Sequence, residues 1–249
     1  MTLVTAQLSV SLDGCYAGPR DHATTRPRDD GDGDRLAGRE AAGFFRVTRW
    51  AIDAMAWRER QSFAGGDDDT NSRIIAETFA AAGAYVMGRR MADGGEVPRG
   101  EEPPFRAPVF VIAHRPRETL QRQGGTSFTY VTDGLAGAVA VAVAVAVAQA
   151  RAVAGGTDVA IAGGGSIVGQ ALAAGLLDQL ELHVSPVVLG EGLRLLDGLG
   201  PGGREGIELA PLRVVSTPRV THLRHRVEGR SPLVLDDRGS SGQTPAAVG

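Results

Sequence analysis

From Thr2 to Ser11, Leu, Val and Ala alternate with Thr, Gln and Ser, the period of a strand with unlike faces, and the run ends in a turn at Leu12-Asp13-Gly14. Five more stretches read as strands: Ala84 to Gly88, Val109 to Ala113, Thr126 to Val131, Val159 to Ala162 and Gln179 to Leu189. Of these, Val109–Ala113 and Val159–Ala162 are wholly apolar, the mark of burial on both faces. Helical spacing falls between the strands. Ile74, Ile75, Thr78 and Phe79 share one face of 71–82, and Ile167, Leu172, Leu176 and Leu177 recur after a glycine triplet. Residues 44–57 read as a short helical lid whose Phe44, Trp50 and Trp57 divide between core packing and stacking on a planar substrate. Ile207–Ser216 and Pro218–Val227 alternate in period two and predict a closing hairpin.

The expected fold is therefore α/β, one domain over residues 1–228, with a mostly parallel central sheet, helices on both faces and an antiparallel C-terminal hairpin. Ala136–Ala150 is a Val-Ala repeat whose period favours a strand and whose alanine content favours a helix; a helix is expected, stopped by Gly155-Gly156. Residues 20–70 form a loop and lid insertion that begins with a polar surface loop over 20–39, and 229–249 reads as a disordered tail. Gly65-Gly66 followed by three aspartates lacks calcium-loop spacing and is read as a polar loop capping the next helix.

Charge narrows the function. The 29 acidic and 26 basic residues give a net charge of −3, with no polybasic footprint, so nucleic acid is not an expected partner. Every basic residue is Arg, which excludes lysine Schiff-base chemistry. Cys15 is the sole cysteine, and the histidines show no HxxxH or HExxH spacing, so no metal is expected at His222 and His225. Neither a signal peptide nor a membrane-spanning run is read, and a soluble cytoplasmic protein is expected.

Three strand ends carry the candidate chemistry: Gly88-Arg89-Arg90, His114-Arg115 and Gly163-Gly164-Gly165-Ser166-Ile167. In an open α/β sheet such ends converge where ligands bind. Glycines before a helix offer a backbone cradle for a pyrophosphate, and arginine forks suit a 2′-phosphate, so together they fit NADPH. The triplet could equally form a ligand-free tight turn, and Arg89 and Arg90 could be solvated charges at a helix start.

Ser11-Leu-Asp-Gly14 with Ala17-Gly-Pro19, Val86-Met-Gly-Arg-Arg90, 108–116, Phe128-Thr-Tyr-Val-Thr-Asp-Gly134, Ile161-Ala-Gly-Gly-Gly165, Ala174-Gly-Leu-Leu-Asp178 and Pro186-Val-Val-Leu-Gly190 follow one another in order. In this the chain resembles the dihydrofolate reductase-like family that includes the C-terminal reductase domain of bifunctional riboflavin biosynthesis proteins. The resemblance implies an NADPH-dependent reductase, usually a homodimer, acting on a small-molecule substrate. It implies further that Gly88, Arg89 and Arg90 meet the pyrophosphate and 2′-phosphate side, that His114 and Arg115 lie near the adenosine ribose, and that Gly163 to Ile167 cradle the pyrophosphate. Ser11 to Asp13 and Gly18 would border nicotinamide and substrate. Asp13 is the candidate proton donor, or else a turn-forming residue before Gly14, and Glu191 is a second substrate-side candidate. Where riboflavin-pathway reductases commonly carry Lys and Glu, this chain has Gln7 and Ala162, so the substrate stays open. The expected reaction is hydride transfer to a C=N or C=O bond of a heterocyclic or sugar-derived compound, 5-amino-6-(5-phosphoribosylamino)uracil being the family precedent. The alternative is a non-catalytic nucleotide-binding or dimerising protein that retains the fold.

Overall fold

The structure, a computed structural model, describes residues 2–19, 21, 42–96, 102–132, 139–197 and 206–228. The expected tail over 229–249 and, apart from Asp21, the loop over 20–39 lie outside the described residues. In chain order the elements are β1 (Val4–Ser11), β2 (Cys15–Ala17), α1 (Ala42–Ile52), α2 (Met55–Arg60), α3 (Thr70–Ala81), β3 (Ala82–Gly88), α4 (Arg89–Glu96), β4 (Pro108–Ile112), β5 (Leu120–Gln121), β6 (Ser127–Val131), α5 (Val139–Val153), β7 (Asp158–Gly163), α6 (Gly165–Ala173), β8 (Gln179–Ser185), β9 (Leu193–Arg194), β10 (Leu209–Ser216) and β11 (Thr221–Val227).

Nine strands form one sheet in the order β10-β11-β8-β1-β7-β3-β4-β6-β5, and β2 pairs with β9 in a small second sheet. The run from β8 to β6 is parallel throughout, while β10, β11 and β5 supply the antiparallel edges. Parallel pairing puts the carboxyl ends of β1, β3, β4, β7 and β8 on one edge of the sheet, the arrangement the three candidate turns require.

Alternation along each strand divides the interior. Val4, Ala6, Val86, Ile112, Val159 and Ile161 face α5 and α6, while Tyr85, Met87, Val109, Val111 and Phe128 face the opposite side. The Val-Ala repeat is helical. Ala142, Val143, Ala146, Val147, Ala150 and Ala154 recur at three- and four-residue spacing and are all buried, a stripe that a strand could not present to one side. Gly155 and Gly156, with φ of 61° and 89°, then end the helix, as glycine does most readily in the left-handed region.

The 44–57 segment differs from the expected lid. It divides into α1 and α2, and α1 packs on the sheet as a fixed wall: Val47 is fully buried and its carbonyl accepts the Ser185 hydroxyl at 2.7 Å. Trp50 is buried, its indole N–H reaching Ser9 Oγ at 3.1 Å; Trp57 is half-buried, and Phe44 is exposed. Asp69 caps α3 as expected, accepting the Ser72 N–H at 3.0 Å. The strand expected over 179–189 stops at Ser185, because Pro186 follows and the chain beyond turns back to Asp13.

Candidate active site

β7 ends at Gly163, whose φ of 124° suits glycine, and Gly164 is the N-cap of α6. The Gly163–Gly164 peptide is cis. Gly164 provides no side-chain cap; the Ile167 N–H donates to the Gly164 carbonyl at 2.9 Å, which leaves the N–H groups of Gly165 and Ser166 at the start of α6 without a capping oxygen. A Cβ built on Gly164 would meet no atom within 4 Å, so the space in front of that turn belongs to no other part of the described protein. An uncapped helix N-terminus facing open space suits an anionic group.

The neighbouring strand ends close on this turn. A Cβ on Gly88 would lie 3.2 Å from Ile167 Cγ1, and one on Gly163 would lie 3.4 Å from Met91 Cε, so the start of α4 sits directly beside the start of α6. Ser166 is exposed and Ile167 is buried beneath it. His114 and Arg115 are exposed just past the end of β4. The structure thus sets Gly88, Gly163, Gly164 and the start of α6 side by side, with Arg90 near enough to act on Tyr16 and with His114 and Arg115 exposed past β4. Arg89 is committed elsewhere: its guanidinium pairs with Asp93 at 2.6 Å and lies over the Tyr130 ring.

Three substrate-side expectations are corrected. The Asp13 carboxylate accepts the N–H groups of Leu189 and Gly190 at 3.0 and 2.9 Å. Hydrogen bonds from the Ser11 hydroxyl and these amides hold its pKa far below the usual carboxylate range, so it stays ionised and has no proton to donate. Asp13 is the strap that ties the 186–192 loop across the β1 turn. Ser11 is buried, and its oxygen also accepts the Cys15 N–H at 2.9 Å, which leaves it closed to substrate. Gly18 is buried against Gly43 at the start of α1, its N–H bonded to Asp21. Glu191 remains exposed on its loop.

Because the carboxylate of Asp13 is acceptor-only, Asp13→Ala should leave the sheet intact and expose the Leu189 and Gly190 amides, read as lost protection factors by NMR. The folded pKa lies below the ordinary 3.8, so this strap is complete above 3.8 and is lost as the pH falls through the depressed value. The wild-type protein should keep both amide protections as the pH passes 3.8 and lose them only as it falls through the depressed value.

Sequence reasoning passed over Tyr16. Its ring lies against Gly165 so closely that a Cβ there would collide with it, and burial raises the phenol pKa while the charge of Arg90 offsets part of that rise. Its signal was only an aromatic in the β2 strand that follows the Leu12-Asp13-Gly14 turn. Gln7 and Ala162 both project to the α3 side of the sheet, Gln7 bonded to Thr78 and Ala162 packed with Tyr85 and Met87.

Comparison with known proteins agrees with this architecture. The family model described as RibD C-terminal domain matches residues 2–223. No curated protein matches the sequence. Among solved structures, a protein of Shewanella sp. PV-4 assigned to riboflavin biosynthesis is 17% identical, with a TM-score of 0.57 over 92% of this chain and 100% of that one. The diaminohydroxyphosphoribosylaminopyrimidine deaminase/5-amino-6-(5-phosphoribosylamino)uracil reductase of Thermotoga maritima is 12% identical, with a TM-score of 0.51 over 91% of this chain and 56% of that one. RibD of Acinetobacter baumannii is 14% identical at a TM-score of 0.50, over 92% of this chain and 59% of that one.

Proposed function

The chain belongs to the RibD C-terminal domain family, and from that premise we propose that it is an NADPH-dependent reductase of a small heterocyclic or sugar-derived substrate. The observation that carries this reading is the uncapped start of α6 opening on the free space at Gly164, flanked by Gly88, with Arg90 acting on the Tyr16 ring that lies against Gly165. A dinucleotide pyrophosphate matches that donor set in charge and in its need for close backbone approach.

The N–H groups at the start of α6 and the exposed Ser166 would hold the pyrophosphate. Arg90 and Arg115, both exposed, are the cations left to meet a 2′-phosphate once Arg89 is paired with Asp93. Bound there, the cofactor supplies hydride. Tyr16, half-buried beside Gly165, lines the wall next to the cradle and keeps water from that side. Its neutral phenol replaces Asp13 as the group that can offer a proton to an acceptor oxygen or nitrogen.

The nonstandard substrate side supports a narrower second reading, nucleotide binding without reduction: Gln7 is turned into a buried network and Ala162 offers only a methyl. Two exposed apolar residues on the edge strand β10, Leu212 and Val214, are consistent with the homodimer that the family resemblance implies. No helix among the described residues is long and apolar enough to cross a membrane.

NADPH at 100 times its Kd should stabilise the chain by about 2.7 kcal/mol in thermal or chemical denaturation. Absence of any stabilisation by NADPH or NADH would remove both readings. Arg90→Ala should weaken NADPH by roughly tenfold, one charge-assisted hydrogen bond, and leave NADH nearly unchanged. Oxidation of NADPH against a panel of pyrimidine, pteridine and keto-sugar acceptors then separates reductase from binder.

A further inference from the structure

The α3 face of the sheet buries a second polar centre, remote from the glycine turn. Register places His183 of β8 directly opposite His222 of β11, and Glu181 opposite Arg224. All of Glu181, His183 and His222 are buried, and Trp50 covers both imidazoles with ring centroids 4.7 and 4.9 Å away. The two Nδ1 atoms face one another at 2.8 Å.

The outer nitrogens fix the tautomers. Asn71 Nδ2 donates to Asp69 Oδ2 at 2.9 Å, so Asn71 Oδ1 is the atom 3.0 Å from His222 Nε2, which must carry a proton. Gln7 Nε2 donates to Thr78 Oγ1 at 2.9 Å, and the Thr78 hydroxyl has both the Ile74 carbonyl at 2.9 Å and Gln7 Oε1 at 3.0 Å as acceptors. Gln7 Oε1 also lies 3.3 Å from His183 Nε2, and an acceptor there calls for a proton on that nitrogen as well. Neutral rings with both protons outside leave two Nδ1 lone pairs aimed at each other. A cation bound between them relieves them without charging either ring.

We propose that Glu181, His183 and His222 form a binding site for a divalent transition-metal ion of the zinc class. One ligand atom from each lies within 4.8 Å of the others. Tetrahedral coordination at about 2.0–2.1 Å sets nitrogens about 3.3 Å apart, so the rings need to part by about half an ångström and to tilt until both lone pairs converge on one point. The outer shell is already in place: Asn71 and Gln7 accept from the distal ring nitrogens, and Arg224 holds Glu181 Oε2 at 2.7 Å. Arg213 and Arg224 bring positive charge to the site, and Glu181 and Glu77, both on Arg213, balance it. A cavity of about 210 Å³ lined by Gln7, Glu77, Thr78, Glu181 and Arg224 reaches the carboxylate of the set, with the two imidazoles behind it. The site stands independently of the proposed cofactor cradle.

The test is titration of the full chain, freed of metal by chelation, with Zn²⁺ or Co²⁺ by calorimetry, and with Cu²⁺ by electron paramagnetic resonance. One ion per chain and hyperfine coupling to two imidazole nitrogens are expected of the wild type. His222→Gln and Glu181→Gln should each weaken binding at least tenfold, Asn71→Ala roughly ten- to a hundredfold as an outer-shell change, and His225→Gln not at all. Should His222→Gln fail to fold, the wild-type Cu²⁺ spectrum and Glu181→Gln decide. No stoichiometric binding overturns the proposal and assigns the centre to a reversed Gln7 amide that satisfies His183 without a cation. Binding that survives His222→Gln but is lost with His225→Gln overturns it too.

Discussion

Gly164→Asp should make the protein more stable and abolish the proposed dinucleotide binding. Gly164 is the N-cap of α6 with φ −74° and ψ 178°, an extended conformation open to any residue, and a Cβ there meets nothing within 4 Å. Aspartate is a better N-cap than glycine and interacts favourably with the helix dipole, so a gain of about 0.5–1 kcal/mol is expected in denaturant. The same carboxylate would occupy the space assigned to the pyrophosphate. Unit charges about 4 Å apart repel by about 4 kcal/mol at an effective dielectric of 20, roughly a thousandfold in Kd. Gly164→Ala, which adds only a methyl, should lose less affinity and gain no stability. Few substitutions separate stability from binding by opposite signs, so wild-type affinity in Gly164→Asp would show that phosphate binds elsewhere.

The second large effect lies at Glu181. Arg224 reaches its carboxylate at 2.7 and 2.8 Å, and the Glu181 side chain is 3% exposed, so removing the arginine leaves a buried charge with only Arg213, at 3.5 Å, to answer it. Arg224→Ala should cost about 3 kcal/mol in urea unfolding, measured with chelator present so that metal does not contribute. Pairing Arg224→Met with Glu181→Leu should restore most of that loss, because an apolar pair of similar volume needs no compensation. A single-variant cost below about 1 kcal/mol would mean that the pair behaves like an exposed one.

Local pattern carried the fold a long way. Strand and helix periods located β1, β3, β4, β6, β7, α3 and the hairpin, because each has one polar and one apolar side or is apolar throughout, while α5 was legible from its alanine content against a strand-like period. The shared sheet edge of the three glycine- and arginine-marked turns was legible for the same reason: parallel order brings Gly88, His114 and Gly163 to one end. Roles that depend on partners distant in sequence were not. Asp13 reads as an acid beside a turn, and only the loop that arrives 176 residues later consumes its oxygens. The spacing of His222 and His225 drew attention to a pair on one strand, whereas the partner of His222 is His183, set opposite it by register. Tyr16 gained its place only when α6 arrived beneath it.

The Val-Ala repeat of α5 has one further consequence. Sliding such a helix along its groove by a few residues exchanges alanine for valine and valine for alanine without exposing a polar group, so packing alone sets its axial position weakly. The pin is at its end, where Arg151 reaches Asp178 at 3.3 Å and Asp178 in turn accepts the Val4 N–H at 2.7 Å. Loss of a single Val-Ala unit would rotate everything after it by about 200° relative to the turns before, and swing Arg151 off that carboxylate. The repeat is thus tolerant of substitution between its two residue types but intolerant of change in length, and its number of units is held by one ion pair at the foot of β1.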